Sequence, residues 1–192
     1  MANLSNFVSQ SNGNANTLGG HSARYFEKEI VGGSLGMILS PGGAEVNGKP
    51  EEPVLENVIG TYKNWTQLRY PKDINTMSVW TIPPSYIGRY KGGTLNIQMV
   101  WFSPNNTGTA KFKLNINTVN INDVIDSSYT DNTKIIDAPV SGVSSGIILS
   151  SFTYDNSELD TNGLMYVTLT RLGIQDTLDS DANLLYLSIF EN

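Results

Sequence analysis

Hydrophobic and polar residues alternate along two stretches of the chain, at 93–103 and 109–118. A period of two residues predicts antiparallel strands that bury one face and solvate the other. The side chains expected to face the core are Leu95, Ile97, Met99 and Trp101 in the first stretch, and Ala110, Phe112, Leu114 and Ile116 in the second. The polar segment 103–108 between them predicts a hairpin turn.

Further stretches rich in β-branched and aromatic residues predict additional strands, each bounded by turn residues. They lie at 76–82, 133–138, 146–154, 164–172 and 183–190. No helical periodicity longer than two turns occurs between them, so a parallel sheet with crossover helices is not expected. The pattern predicts an all-β fold, an antiparallel β-sandwich.

The amino-terminal part of the chain has a different composition, because glycine and proline interrupt it at short intervals. These breakers leave room for at most one short helix, predicted at 22–29 with Ser22 as its cap. We therefore divide the chain into an extended amino-terminal arm, 1–54, and a β-sandwich domain, 55–192. An arm with few packing contacts of its own is expected to become ordered against a neighbour.

Composition excludes several kinds of chemistry. The chain of 192 residues has no cysteine and a single histidine, and its net charge is −6. These features exclude disulfides, thiolate zinc sites and a histidine relay, and they argue against nucleic-acid binding. No stretch is apolar enough to span a membrane, and the first residues lack the pattern of a secretory signal. We expect synthesis in a cytoplasm, no membrane partner, no cofactor and no catalytic residue.

Two acidic segments, 155–163 and 176–181, are the nearest approach to a metal site. Calcium sites are built from oxygen ligands, but neither segment follows the EF-hand pattern. Asp and Asn side chains in turns commonly bond local backbone amides, so we interpret both segments as solvated connections and predict no metal site.

Aromatic residues leave one candidate for an exposed contact. Trp101 lies on the apolar face of the most regular strand, and Trp80 is also expected to be buried. Trp65, beside polar Lys63 and Asn64, is the tryptophan expected to remain exposed. An exposed tryptophan could stack on a sugar, so glycan binding is possible.

The order of several short motifs resembles a β-sandwich module that recurs in virion proteins of tailed bacteriophages. The motifs are the Trp-Thr-Ile-Pro-Pro-Ser-Tyr segment at 80–86, the glycine pair at 92–93, Trp101, and the carboxyl-terminal Asp-Thr-Leu and Asp-Ala segments at 176–178 and 181–182. The arm is similar to a Thr-Leu-x-Gly-x-x-Ala-x-x-Phe phrase of phage fibre proteins. It provides Leu18, His21, Tyr25 and Phe26 as candidate docking contacts.

This resemblance implies a jelly-roll-like sandwich and a structural, non-enzymatic role in a phage particle, as a head fibre, capsid-associated protein or fibre adaptor. The implied partners are other virion proteins of the capsid, fibre or tail, and further copies of the chain, most simply in a homotrimer. The implied location is the virion. Two alternatives stay open: a carbohydrate-binding or host-receptor-binding module of a tail or baseplate protein, and a cell-envelope hydrolase with a carboxylate pair in a cleft.

Overall fold

The computed structural model describes residues 17–18, 21–22, 35–46, 51–88, 90–120, 122–123, 133–155 and 159–191. These residues form an antiparallel β-sandwich, which confirms the predicted fold class. The strands are β1 (Thr17–Leu18), β2 (His21–Ser22), β3 (Gly36–Leu39), β4 (Val54–Ile59), β5 (Asn64–Tyr70), β6 (Asn75–Ile82), β7 (Leu95–Phe102), β8 (Thr109–Val119), β9 (Thr133–Pro139), β10 (Ile147–Tyr154), β11 (Leu164–Leu172) and β12 (Ala182–Glu191). One helical turn, α1, spans Pro84–Ile87, and a 3-10 turn spans Pro41–Gly43.

Two sheets contain ten of these strands. Sheet 1 has the order β10-β7-β12-β5-β4, and β3 pairs with the last residues of β12 beside β5. Sheet 2 has the order β6-β11-β8-β9. Strands β1 and β2 form a separate two-stranded pair. All pairings between these strands are antiparallel.

The inner faces of the two sheets enclose one hydrophobic core, and the predicted inward rows of β7 and β8 are confirmed. Trp101 is fully buried, and its ring meets Phe112 of the other sheet edge to face, with ring centres 5.9 Å apart. Phe112 makes the same kind of contact with Tyr70. Edge-to-face pairs of this kind add to the stability that burial provides.

The segment 103–108 was wrongly predicted to be a hairpin turn. Strand β7 pairs with β10 and β12 in sheet 1, whereas β8 pairs with β9 and β11 in sheet 2. The connection therefore crosses from one sheet to the other. Two amphipathic strands in succession bury their apolar faces equally well as a hairpin or across a sandwich, so alternation alone could not distinguish the two arrangements.

Part of the predicted arm belongs to the sandwich. Strand β3 pairs with β12, and Leu35 and Leu39 are buried in the core. The Glu191 carboxylate fastens this segment, because it accepts hydrogen bonds from three backbone N–H groups, those of Leu35 (3.4 Å), Lys91 (2.9 Å) and Gly93 (3.1 Å). The boundary at residue 54 is therefore wrong for residues 35–46.

The short helix predicted at 22–29 does not begin at Ser22. Ser22 lies in strand β2, where its backbone pairs with that of Thr17. Serine is favoured in several local structures besides helix caps, so the residue type alone did not fix its position. The remainder of the predicted helix lies outside the described residues.

Candidate functional site

The predicted docking contacts of the arm are only partly within the described residues. The backbone of Leu18 in β1 pairs with that of His21 in β2. Tyr25 and Phe26 lie outside the described residues. The docking role of these four residues stays a prediction.

Trp65 lies at the beginning of β5, on the outer face of sheet 1, and 37% of its surface is exposed. Its indole Nε1–H donates a hydrogen bond to Oε1 of Gln67 (2.7 Å), and its ring meets Phe102 edge to face. Gly60 packs closely on the ring, since a Cβ atom there would lie 2.9 Å from Cζ3. Trp65 is thus held by three neighbours, and its contact with a ligand stays a prediction.

The carboxylates of the loop before β12 are each paired with a cation. Asp176 bonds the fully buried Arg171 (2.8 Å), and Asp179 bonds Lys72 (2.8 Å). Asp181 bonds Arg69 (3.2 Å). Lys72 lowers the pKa of Asp179, and hydrogen bonding to Glu56 is the main cause that raises the pKa of Arg69. The loop is therefore a set of structural ion pairs, and its carboxylates are already occupied.

Among the described residues, no group of three or more histidine and acidic side chains is placed to hold a metal ion. In the same part of the chain, no helix is long and apolar enough to cross a membrane.

A groove lies on the outer face of sheet 2. It has a volume of about 130 Å³, roughly ten times the minimum that one water molecule needs. Three adjacent strands, β6, β11 and β8, supply its lining. The residues that line this groove, hereafter the sheet-2 groove, are Met77, Lys113, Asn115, Thr168 and Thr170.

The strand register explains why these side chains converge. Thr170 lies opposite Met77 on one side and opposite Lys113 on the other, and these three form one row across the sheet. Thr168 and Asn115 are opposite each other in the next row. Because directly opposed residues in an antiparallel pair point to the same face, both rows project from the outer surface.

Asn115 is the unusual member of this set. Only 8% of its surface is exposed, although it was expected on the solvated face of its strand. Its Oδ1 atom is buried and has no hydrogen-bond partner among the described residues. Buried acceptors are nearly always paired, so an unpaired one at a groove calls for an explanation. Because the Oδ1 atom itself is buried, a ligand in the groove becomes its partner when the Asn115 side chain turns toward the groove.

Sequence reasoning did not identify the sheet-2 groove. Alternation placed Lys113 and Asn115 together on the outer face, as the structure does. The burial of Asn115 depends on strand β11, which is more than 40 residues away in the chain. The local sequence pattern around Asn115 therefore could not predict this burial.

Comparisons with known proteins concern the fold. No protein-family model and no curated protein sequence matches the chain. Among solved structures, a family 35 carbohydrate-binding module from an environmental isolate superposes with a TM-score of 0.50 at 14% identity, covering 81% of this chain and 93% of that one. A family 35 module from Clostridium thermocellum gives 0.47 at 13% identity, covering 82% and 98%. A family 6 module of a laminarinase from Zobellia galactanivorans gives 0.49 at 10% identity, covering 81% and 99%.

The chain therefore has the jelly-roll-like sandwich fold of carbohydrate-binding modules, and at these identities the similarity concerns the fold alone. The resemblance to phage virion proteins was wrong, because the structural neighbours are carbohydrate-binding modules. The head-fibre, capsid and tail-fibre assignments and the homotrimer depended on that resemblance and are withdrawn. The expected location in a virion had no other basis.

The motifs behind the resemblance serve the sandwich itself. Trp101 fills the core, and Arg171 with Asp176 fixes the loop before β12. Gly93 lies against the Glu191 carboxylate, where a Cβ atom would come within 3.1 Å of Oε1. Core packing, buried ion pairs and close glycine contacts recur in unrelated sandwiches. The order of these motifs along the chain therefore indicates the architecture and not the biological role.

Proposed function

We propose that this chain is a non-catalytic carbohydrate-binding module and that the sheet-2 groove is its binding site. The observation that carries the proposal is the unpaired Oδ1 of Asn115 at the groove. The fold it shares with the carbohydrate-binding module from the environmental isolate supports the same conclusion.

The groove lining matches the chemistry of a sugar ring. Sugar hydroxyl groups donate and accept hydrogen bonds, so one hydroxyl can donate to Asn115 while others bond the Thr168 and Thr170 hydroxyls. The Lys113 ammonium donates hydrogen bonds and accepts none. Met77 offers a flexible apolar surface to the C–H face of the ring. A site with a few fixed polar groups beside an apolar wall is typical of small-ligand recognition.

The same lining favours binding over hydrolysis. A glycosidase commonly needs two carboxylates on opposite sides of the scissile bond. None of the five residues that line the sheet-2 groove is acidic. The chain therefore offers hydrogen bonds in this groove but no general acid, which is the reason we propose a module without catalytic activity.

Binding to soluble xylan, galactan and β-1,3-glucan, measured by affinity electrophoresis and calorimetry, tests the proposal. Two variants remove a groove polar group while keeping side-chain size: Asn115→Leu and Thr168→Val. Thr153→Val is the matched control, because Thr153 is exposed on strand β10 in the other sheet. We expect each groove variant to weaken binding about tenfold or more, the effect of losing one buried hydrogen bond, and the control to bind like the wild type.

Failure of the wild type to bind any of the three polysaccharides would count against the proposal. Equal binding by Asn115→Leu, Thr168→Val and the wild type would show that the glycan uses another surface. In that case, the outer face of sheet 1 around Trp65 is the place to examine, with Trp65→Ala.

A further inference from the structure

Strand β4 is an exposed edge of sheet 1. It pairs with β5 on one side, and no described strand pairs with its other side. Natural proteins usually protect such edges with charges, prolines or bulges. Strand β4 instead exposes 40% of Leu55 and 86% of Ile59. Its single charged residue, Glu56, forms a salt bridge with Arg69 (Oε1 to Nε, 2.7 Å) and does not protect the edge from pairing.

The alternation of hydrogen-bonded pairs in the β4–β5 hairpin determines which backbone groups of β4 are available to pair with another strand. The turn closes with a hydrogen bond from Gly60 N–H to the Lys63 carbonyl (3.0 Å). Hydrogen-bonded and non-hydrogen-bonded pairs alternate along an antiparallel ladder. Counting back from Gly60, residues 58, 56 and 54 bond β5, and the N–H and C=O groups of Leu55, Asn57 and Ile59 point away from the sheet.

We propose that two copies of this chain form a dimer by antiparallel pairing of β4 with itself, centred on Asn57. In this register Asn57 faces the partner's Asn57, and Ile59 faces the partner's Leu55. The three outward-pointing residues of each copy then exchange N–H···O=C bonds with the same three residues of the partner. The two copies of sheet 1 form one continuous sheet and are related by a two-fold axis perpendicular to it. Two-fold symmetry with a self-complementary contact is the commonest arrangement of dimers.

The other symmetric registers are less favourable on this edge. Those centred on Leu55 or Ile59 pair only one outward-pointing residue of β4 with its counterpart. Opposed residues must point to the same face of the continuous sheet, so the two-fold axis has to pass beside a residue and not between two residues. A register centred on Glu56 would place two carboxylates opposite each other. It would also need the backbone groups of residues 54, 56 and 58, which already bond β5. The Asn57 register avoids both conflicts and covers the most exposed apolar residue of the strand, Ile59.

Sedimentation equilibrium up to about 100 µM, a range suited to a small interface, tests for the dimer. Ile59→Lys is expected to be a monomer, because lysine is a common protector of sheet edges. Ile147→Lys is the matched control. Ile147 is 71% exposed on β10, at the opposite edge of sheet 1, so this variant should dimerise like the wild type. A monomeric wild type, or a dimeric Ile59→Lys, would overturn the proposal.

A cysteine cross-link tests the register, and the chain has no cysteine that could interfere. In a hydrogen-bonded antiparallel pair the Cα atoms lie about 5.5 Å apart, within the range of about 4.4–6.8 Å that a disulfide accepts. Mild oxidation of Asn57→Cys should therefore give a covalent dimer.

Glu56→Cys is the control for the register, because its two copies would lie diagonally, about 7–8 Å apart or more, and should cross-link poorly. Preferential cross-linking of Glu56→Cys would refute the Asn57 register. Cross-linking of neither variant, with a dimeric wild type, would place the dimer contact on another surface.

Discussion

Replacement of Asn115 by leucine should make the fold more stable. A buried acceptor without a partner costs about 1–3 kcal/mol, and Oδ1 of Asn115 is in that position. Leucine has a similar size and removes the polar atom. We expect the free energy of unfolding to rise by about 1–2 kcal/mol.

Urea denaturation followed by tryptophan fluorescence measures this change, with stability taken from linear extrapolation. Asn117→Leu is the matched control. Asn117 lies two residues further along β8, on the same face and with the same 8% exposure, but its side chain has no buried unpaired atom. The control is therefore expected to give no gain in stability.

Two results would refute the reasoning. A loss of more than about 1 kcal/mol in Asn115→Leu would mean that Oδ1 is well paired in the folded protein. An equal gain in both leucine variants would assign the effect to general apolar burial on this face. A gain confined to Asn115→Leu, together with loss of glycan binding, would identify a residue retained for binding at a cost in stability.

Three further predictions concern the framework around the groove. Trp101→Ala should destabilise by about 3–5 kcal/mol in urea denaturation, and a loss below about 1 kcal/mol would contradict its core position. Arg171→Met should cost about 3–5 kcal/mol because it leaves Asp176 buried without its cation, and the double variant Arg171→Met/Asp176→Leu should recover part of that loss. Burial alone would raise the pKa of Glu191, but three backbone N–H donors lower this pKa below its ordinary 4.5. The free energy of unfolding should therefore fall as the pH drops below 4.5. Glu191→Gln should flatten this pH dependence, and an unchanged slope in the variant would contradict the prediction.

Period-two alternation predicted the strands whose two faces meet different environments. Strands β7 and β8 bury one face in the core, so their sequences separate apolar from polar residues almost completely. Strands β4 and β5 were not predicted. Strand β4 exposes apolar side chains at the sheet edge, and β5 buries the polar Gln67 in a hydrogen-bonded network. Neither strand therefore shows a clean alternation.

Strand β3 was missed for a different reason. Its four residues, Gly36–Leu39, lie between glycine-rich segments and are too short to show a period. Its position depends on β12 and on the Glu191 carboxylate, which is 156 residues from Leu35 in the chain. Contacts this distant in sequence leave no local signal. The glycine and proline residues around β3 were therefore taken as evidence for an extended arm.

The two proposals together predict binding to a surface by both members of a dimer. A two-fold axis perpendicular to sheet 1 rotates each copy within the plane of that sheet, so both copies of sheet 2 lie on the same side. Both sheet-2 grooves would then face the same direction and could bind one polysaccharide surface together. Linked binding of this kind can strengthen attachment by about 10²–10⁴ without any new contact.

Comparison of Ile59→Lys with the wild type separates dimer formation from groove chemistry. In solution with a short oligosaccharide, each groove acts alone, so the two proteins should have the same affinity per chain. On an immobilised polysaccharide the wild type should dissociate much more slowly, and the Ile147→Lys control should behave like the wild type. Equal dissociation of Ile59→Lys and a dimeric wild type would show that the two grooves do not bind together, and would contradict the shared orientation of the grooves.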